Sequence, residues 1–172
     1  TGLCEGALDA FLAACVYDEE RGIPALICVP EEKSAMRLFS TLSAFGLRVS
    51  VYPERDPVLY NIVSSHELEH ERIAVLTDLS EGRLDAVIAT PTAALSFTIP
   101  EDTLRMATRM LSVGESVSME ALAAFLSEAG YVCTELVDGK GQFSIRGGII
   151  DIFPPHLASP VRLELFGDEI DQ

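Results

Sequence analysis

The chain has 172 residues, 48% of them hydrophobic, with 12 basic and 27 acidic side chains for a net charge of −15. That length suits one large domain or two small ones, and no apolar run approaches the ~18 residues of a membrane span. A field of this sign repels phosphate backbones, and no local basic cluster stands against it, so nucleic-acid binding by this chain alone is not expected.

No signal-peptide pattern opens the chain. Both its start, Thr1-Gly2-Leu3, and its end, Gly167-Asp168-Glu169-Ile170-Asp171-Gln172, read as interior sequence, so a piece of a longer protein is expected. Gly2 and Gly6 with Leu8 and Asp9 fall where a phosphate loop of the form G-x-x-x-x-G-K-[ST] would stand. The lysine and hydroxyl positions hold Leu8 or Asp9, and Glu5 adds repulsion toward phosphate. The stretch is therefore read as a degenerate, non-functional loop running into a helix over 7–20.

Ala25 to Val29 is a continuous apolar run, as a strand buried on both faces would be. Glu31 to Phe45 has Ala35, Leu38, Phe39, Leu42 and Phe45 at helical spacing, with Gly46 as its stop. Val49 to Tyr52 reads as a short strand. Ser65 to Ser80 reads as a second amphipathic helix with Leu68, Val75, Leu76 and Leu79 inward, and Asp85 to Thr90 as another buried strand. This alternation predicts βαβ units on a parallel sheet, a degenerate P-loop, RecA-like domain over 1–104.

The second of those helices opens with His66-Glu67-Leu68-Glu69-His70, a literal H-E-x-x-H. A zinc hydrolase needs a third ligand, and the remaining histidine, His156, lies in the other half. A charged helix start is the plainer reading, and no metal is expected. The four cysteines, Cys4, Cys15, Cys28 and Cys133, form no C-x-x-C pair and read as reduced thiols of a cytoplasmic protein. No G-x-S-x-G setting or other nucleophile–base set is visible, so neither enzyme chemistry nor a cofactor is expected.

After Pro100 the pattern changes, and a small α+β domain with a curved antiparallel sheet is predicted over 105–172. Arg109 to Val113 reads as extended. Ser118 is a helix N-cap, with Val117 and Leu122 placed as a hydrophobic staple and Gly130 as the stop. In the strand Gln142 to Arg146, Phe143 and Ile145 face one side while Ser144 and Arg146 face the other. Past Gly147-Gly148 the apolar positions are Ile150 and Ile152, a change of parity that predicts a bulge or sharp bend. In the next strand Val161, Leu163 and Leu165 point inward and Arg162, Glu164 and Phe166 outward. Arg146, Arg162 and Phe166, with Glu164 beside them, have the composition of a protein-interface hot spot. A solvated sheet face with an Arg162–Glu164 pair fits the same residues.

The run Gly141-Gln142-Phe143-Ser144-Ile145-Arg146-Gly147-Gly148-Ile149-Ile150-Asp151-Ile152-Phe153-Pro154, followed by Val161-Arg162-Leu163-Glu164-Leu165-Phe166-Gly167-Asp168-Glu169, resembles the second domain of the bacterial transcription-repair coupling factors (Mfd) and, less closely, the excision-repair subunit UvrB. Tyr52-Pro53-Glu54-Arg55-Asp56-Pro57, Glu71-Arg72 and Thr90-Pro91-Thr92 extend the likeness into the first half. The missing phosphate loop and the short span between Tyr52 and Ser65, too short for UvrB's hairpin, favour the coupling-factor side. The resemblance implies a non-catalytic N-terminal module that binds UvrA through Arg146, Arg162 and Phe166, with Glu164 at the edge. Ser144 departs from the arginine usual in UvrB-type sequences. The resemblance also implies a parent that is an ATP-dependent DNA translocase, reaching RNA polymerase and DNA through segments outside this chain. Intramolecular contacts with those segments would hide the UvrA face. The alternative is a UvrB-like fragment that retains nucleotide or damaged-DNA binding.

Overall fold

The structure, a computed structural model, describes residues 5–16, 23–55 and 62–172, and the side chains of 7–16, 23–55 and 67–172. The chain divides into two compact units, Thr1–Thr98 and Ile99–Gln172.

In the first unit, helices α1 (Glu5–Val16) and α2 (Glu32–Ala44) and strands β1 (Ala25–Cys28), β2 (Val49–Tyr52) and β3 (Ala86–Ala89) alternate with α3 (Ile62–Ser80) and the short α4 (Pro91–Leu95). The strands form a parallel sheet in the order β1-β3-β2, with Ala86 level with both Ala25 and Val49. A parallel pair needs a long crossover, and α2 and α3 supply these. On one face of the sheet Ala35, Leu38 and Leu42 of α2, with Ala13 of α1, bury Val49, Ala86 and Ile88. Val75 of α3 and Ala93 of α4 cover Tyr52, Val87 and Ala89 on the other. α2 closes with a Schellman motif, in which Gly46 N–H donates to Ser43 O and Leu47 N–H to Leu42 O, at 2.9 and 3.2 Å.

Two expectations need correction here. The apolar run at Ala25–Val29 is not buried on both faces. β1 is an edge strand, Leu26 is 62% exposed and Cys28 is exposed as well. A continuous apolar run does not distinguish a central strand from an edge, because position in the sheet is set by pairing order. Phe45, expected inward at the end of α2, is exposed because the helix has already ended.

The second unit has α5 (Glu101–Met106), α6 (Met119–Glu128) and strands β4 (Val132–Cys133), β5 (Gln142–Arg146), β6 (Ile149–Phe153), β7 (Val161–Phe166) and β8 (Glu169–Ile170), paired in that order. β5 to β8 are antiparallel, but β4 runs parallel to β5, so the sheet is mixed rather than wholly antiparallel. Ser118 caps α6 by accepting from Ala121 N–H at 3.1 Å, and Val117 and Leu122 are both buried as a staple requires. α6 lays Leu122 and Leu126 against Phe143, Ile150, Ile152 and Ile170 to make the core. Pairing before α6 falls at Ser116, which bridges Glu169 of β8, rather than at 109–113. α4 and α5 were not legible as helices.

Gly147-Gly148 forms a two-residue hairpin turn, not a bulge. Arg146 stands opposite Ile149 and the ladder continues unbroken to Gln142 opposite Phe153. The parity shift follows from the hairpin itself, since Phe143 faces Ile152 and Ile145 faces Ile150. Gly147 takes φ +62, and a Cβ on Gly148 would meet Leu165 O at 2.7 Å, where β7 closes onto the turn.

Candidate partner-binding site

Because α6 covers one side of the second sheet, the alternate side chains of β5, β6 and β7 emerge on the other. Register places Ser144 opposite Asp151, and Asp151 opposite Arg162. Asp151 is the hub. Arg162 donates to it from Nε at 2.7 Å and from Nη2 at 3.1 Å, and Arg146 donates from Nη2 at 2.6 Å. The carboxylate is 13% exposed, whereas each arginine side chain is 55% exposed. The hydrogen bond from Arg162 holds the Asp151 carboxyl below the usual carboxylate range. Desolvation pulls the other way, and Arg146 adds to the lowering. The same hydrogen bond raises Arg162 above its ordinary value, and nearby Glu164 contributes in the same direction.

Phe166 ends β7 on this face and is 86% exposed. Glu164 lies between Arg162 and Phe166, exposed, with its backbone bonded to Asp171 and Gln172. The structure thus places Arg146 on β5 and Arg162, Glu164 and Phe166 on β7, the two strands that flank β6, with outward side chains. The two arginines pair with Asp151, however, not Arg162 with Glu164. Asp151 was missed in the sequence. The one available signal was a lone acid inside the apolar strand Ile149–Phe153. Ser144 is the other finding: its side chain is buried, and its hydroxyl has no hydrogen-bond partner among the described residues.

The remaining candidates lie elsewhere. Gly2 lies outside the described residues, while Gly6, Leu8 and Asp9 are inside α1 rather than in a loop. Asp9 is buried and pairs with Arg37 of α2 at 3.4 Å. His70 sits half-buried on α3, and His66 lies on the same helix. Among the described residues, no group of three or more His, Cys, Asp or Glu is placed to hold a metal ion. No helix among them is long and apolar enough to cross a membrane.

The first unit carries a second polar constellation at the C-terminal ends of β2 and β3. Arg72 of α3 is fully buried and donates to Pro53 O at 2.7 Å, Ser96 Oγ at 2.8 Å and Phe97 O at 3.3 Å. Its guanidinium lies 4.1 Å from the Tyr52 ring centroid. The Tyr52 hydroxyl bonds Thr98 Oγ1 at 3.0 Å, and Thr90 Oγ1 bonds the Glu54 carboxylate.

Residues 110–172 match the family described as UvrB interaction domain. The whole chain is similar to the transcription-repair-coupling factor of Bacillus subtilis, 36% identical over 99% of the chain. It is similar also to that of Escherichia coli, 26% identical over 99%, and to the UvrABC system protein B of Thermosipho africanus, 29% identical over 89%. The chain spans 14%, 15% and 25% of the lengths of these three relatives. Residues 110–172 thus match the UvrB interaction domain, and nearly the whole chain is similar to the transcription-repair-coupling factors and their UvrB relatives.

Proposed function

We propose that this chain is a non-catalytic docking module that binds the excision-repair protein UvrA through the outward face of β5, β6 and β7, and that within a longer protein it recruits UvrA to stalled RNA polymerase. On this reading the parent is an ATP-dependent DNA translocase, with its motor, polymerase and DNA contacts in other segments. Arg146, Arg162 and Phe166 are the contact residues and Glu164 lies at the rim. The supporting observation is that two arginines and an exposed phenylalanine share one sheet face inside the residues that match the UvrB interaction domain. Arginine and aromatic side chains around a desolvated centre are what dominate interface energetics. Both arginine side chains are 55% exposed, and their guanidinium groups are suited to carboxylates of the partner.

The test is a pull-down and titration against UvrA, comparing wild type with Arg162→Ala. Loss of one hot-spot arginine costs about 2 kcal/mol or more, roughly a thirtyfold weaker complex. Wild type that fails to bind at micromolar concentration, or a variant that binds equally well, contradicts the reading. Retention on immobilised ATP, or a salt-sensitive DNA shift, would instead favour a UvrB-like nucleotide or damaged-DNA function.

A further inference from the structure

We propose that Asp151 is a positioning residue of this face, holding one edge of each arginine so that the opposite edges stand ready for the carboxylates of an acidic partner. The proposal rests on the UvrA reading and assigns a residue that makes no contact of its own with the partner.

Three observations carry it. Asp151 takes the Nε–Nη2 edge of Arg162 and an Nη2 hydrogen of Arg146. Among the described residues no acceptor engages Nη1 of either arginine. A guanidinium presents donors on more than one edge, so a clamped arginine remains able to fork onto a second carboxylate. Next, the carboxylate is nearly covered while both arginines are more than half exposed, so a partner meets guanidinium and not Asp151. Finally, both arginines are hydrogen-bonded to the same acid. Asp151 serves both of them, with Glu164 attracting Arg162 through space alone, in contrast to Arg109, which is bonded to Glu115, and Arg105, which has Glu101 and Asp102. An acidic partner therefore meets exposed guanidinium donors rather than a net positive patch.

Ser144 bears on the same point. It is the cross-strand neighbour of Asp151 and brings a hydroxyl, yet that hydroxyl is left without a partner while the carboxylate is occupied by the two arginines. Long arginine side chains lose rotamer freedom when they bind, and a side chain already held loses less, which shows mainly as slower dissociation.

The experiment has a partner-free arm and a partner arm. In the free protein, relaxation of the Arg162 Nε–Hε group should give an order parameter approaching the rigid value of about 0.85, and a wild-type value below about 0.6 overturns the proposal without any variant. Asp151→Asn should lower that order while circular dichroism still reports a folded sheet, and Asp151→Glu should restore it. In stopped-flow binding to UvrA at low salt, Asp151→Asn should associate at least as fast as wild type, because local charge rises. It should dissociate roughly tenfold faster, because the arginines are no longer held. In the Arg146→Ala/Arg162→Ala background the same substitution should change nothing further. Equal or tighter binding by Asp151→Asn, or a loss that persists without the arginines, overturns the proposal. Ordered arginines that loosen in Asp151→Asn, in a protein that does not bind UvrA at all, would overturn the UvrA reading and leave the positioning role of Asp151 standing.

Discussion

Asp151 accepts hydrogen bonds from two cations, so its protonation is coupled to the stability of the second unit. Its folded pKa lies below the ordinary value, chiefly through the hydrogen bond from Arg162 and against the opposing effect of burial. A depressed carboxyl contributes stability that is fully present above its unfolded pKa, about 3.9, and is lost as pH falls through the folded value. Asp85 behaves alike in the first unit, where the Arg48 guanidinium lies 2.5 Å from its Oδ1. Urea melts between pH 7 and pH 2 should therefore show a fall in stability of the second unit below about pH 4, and Asp151→Asn should flatten that fall. Ser144 predicts an effect of the opposite kind. An orphaned buried hydroxyl costs roughly 1–3 kcal/mol, so Ser144→Ala should leave stability unchanged or raise it, where a bonded serine would lower it. A melting temperature clearly below wild type would show that the hydroxyl has a partner after all.

Among the elements, α3 and the β5–β6 hairpin carry the sharpest consequences. Arg72 ties α3 to the end of β2 and to residues 96 and 97 through neutral acceptors. Arg72→Ala leaves two backbone carbonyls and a hydroxyl without their donor in a buried place, and should cost about 3 kcal/mol or more in denaturant melts. Arg72→Lys should recover little of that loss, because a compact ammonium cannot span three acceptors or stack flat on Tyr52. In the hairpin, Gly148→Ala puts a methyl group against the Leu165 carbonyl at 2.7 Å, with backbone rather than a flexible side chain in the way. It should destabilise the second unit by about 1–3 kcal/mol and weaken UvrA binding with it, since β7 carries Arg162 and Phe166. Circular dichroism melts beside the binding titration would check both effects.

At the scale of the whole chain, each unit has a core of its own. Two clusters lie on either face of the first sheet, and a third is formed by α6 and the second sheet. Leu122→Ala removes a fully buried side chain from the third and should cost the second unit about 2–5 kcal/mol. Hydrogen exchange should register that loss in β5–β7 and leave the protection of β3 unchanged. Equal loss of protection in β3 would show that the cores fold as one cooperative body.

Local pattern determined much of this protein: the alternation of helix and strand in the first half, the cap at Ser118, the helix stops at Gly46 and Gly130, and the inward–outward parity that grouped Arg146, Arg162 and Phe166. These are properties of near neighbours along the chain, with periods of 3.6 and 2 residues, and they are written in the sequence. Tertiary structure decided what pairing across the chain decides. Strand order made Ala25–Cys28 an edge and Ala86–Ala89 the centre. A parallel β4 made the second sheet mixed, and register brought Asp151 level with Arg162. A slip of one residue would have turned Asp151 to the core face and left the arginines without their clamp. The outward grouping of Arg146, Arg162 and Phe166 was thus legible from parity, whereas the carboxylate bonded to the two arginines became visible only once the strands were paired.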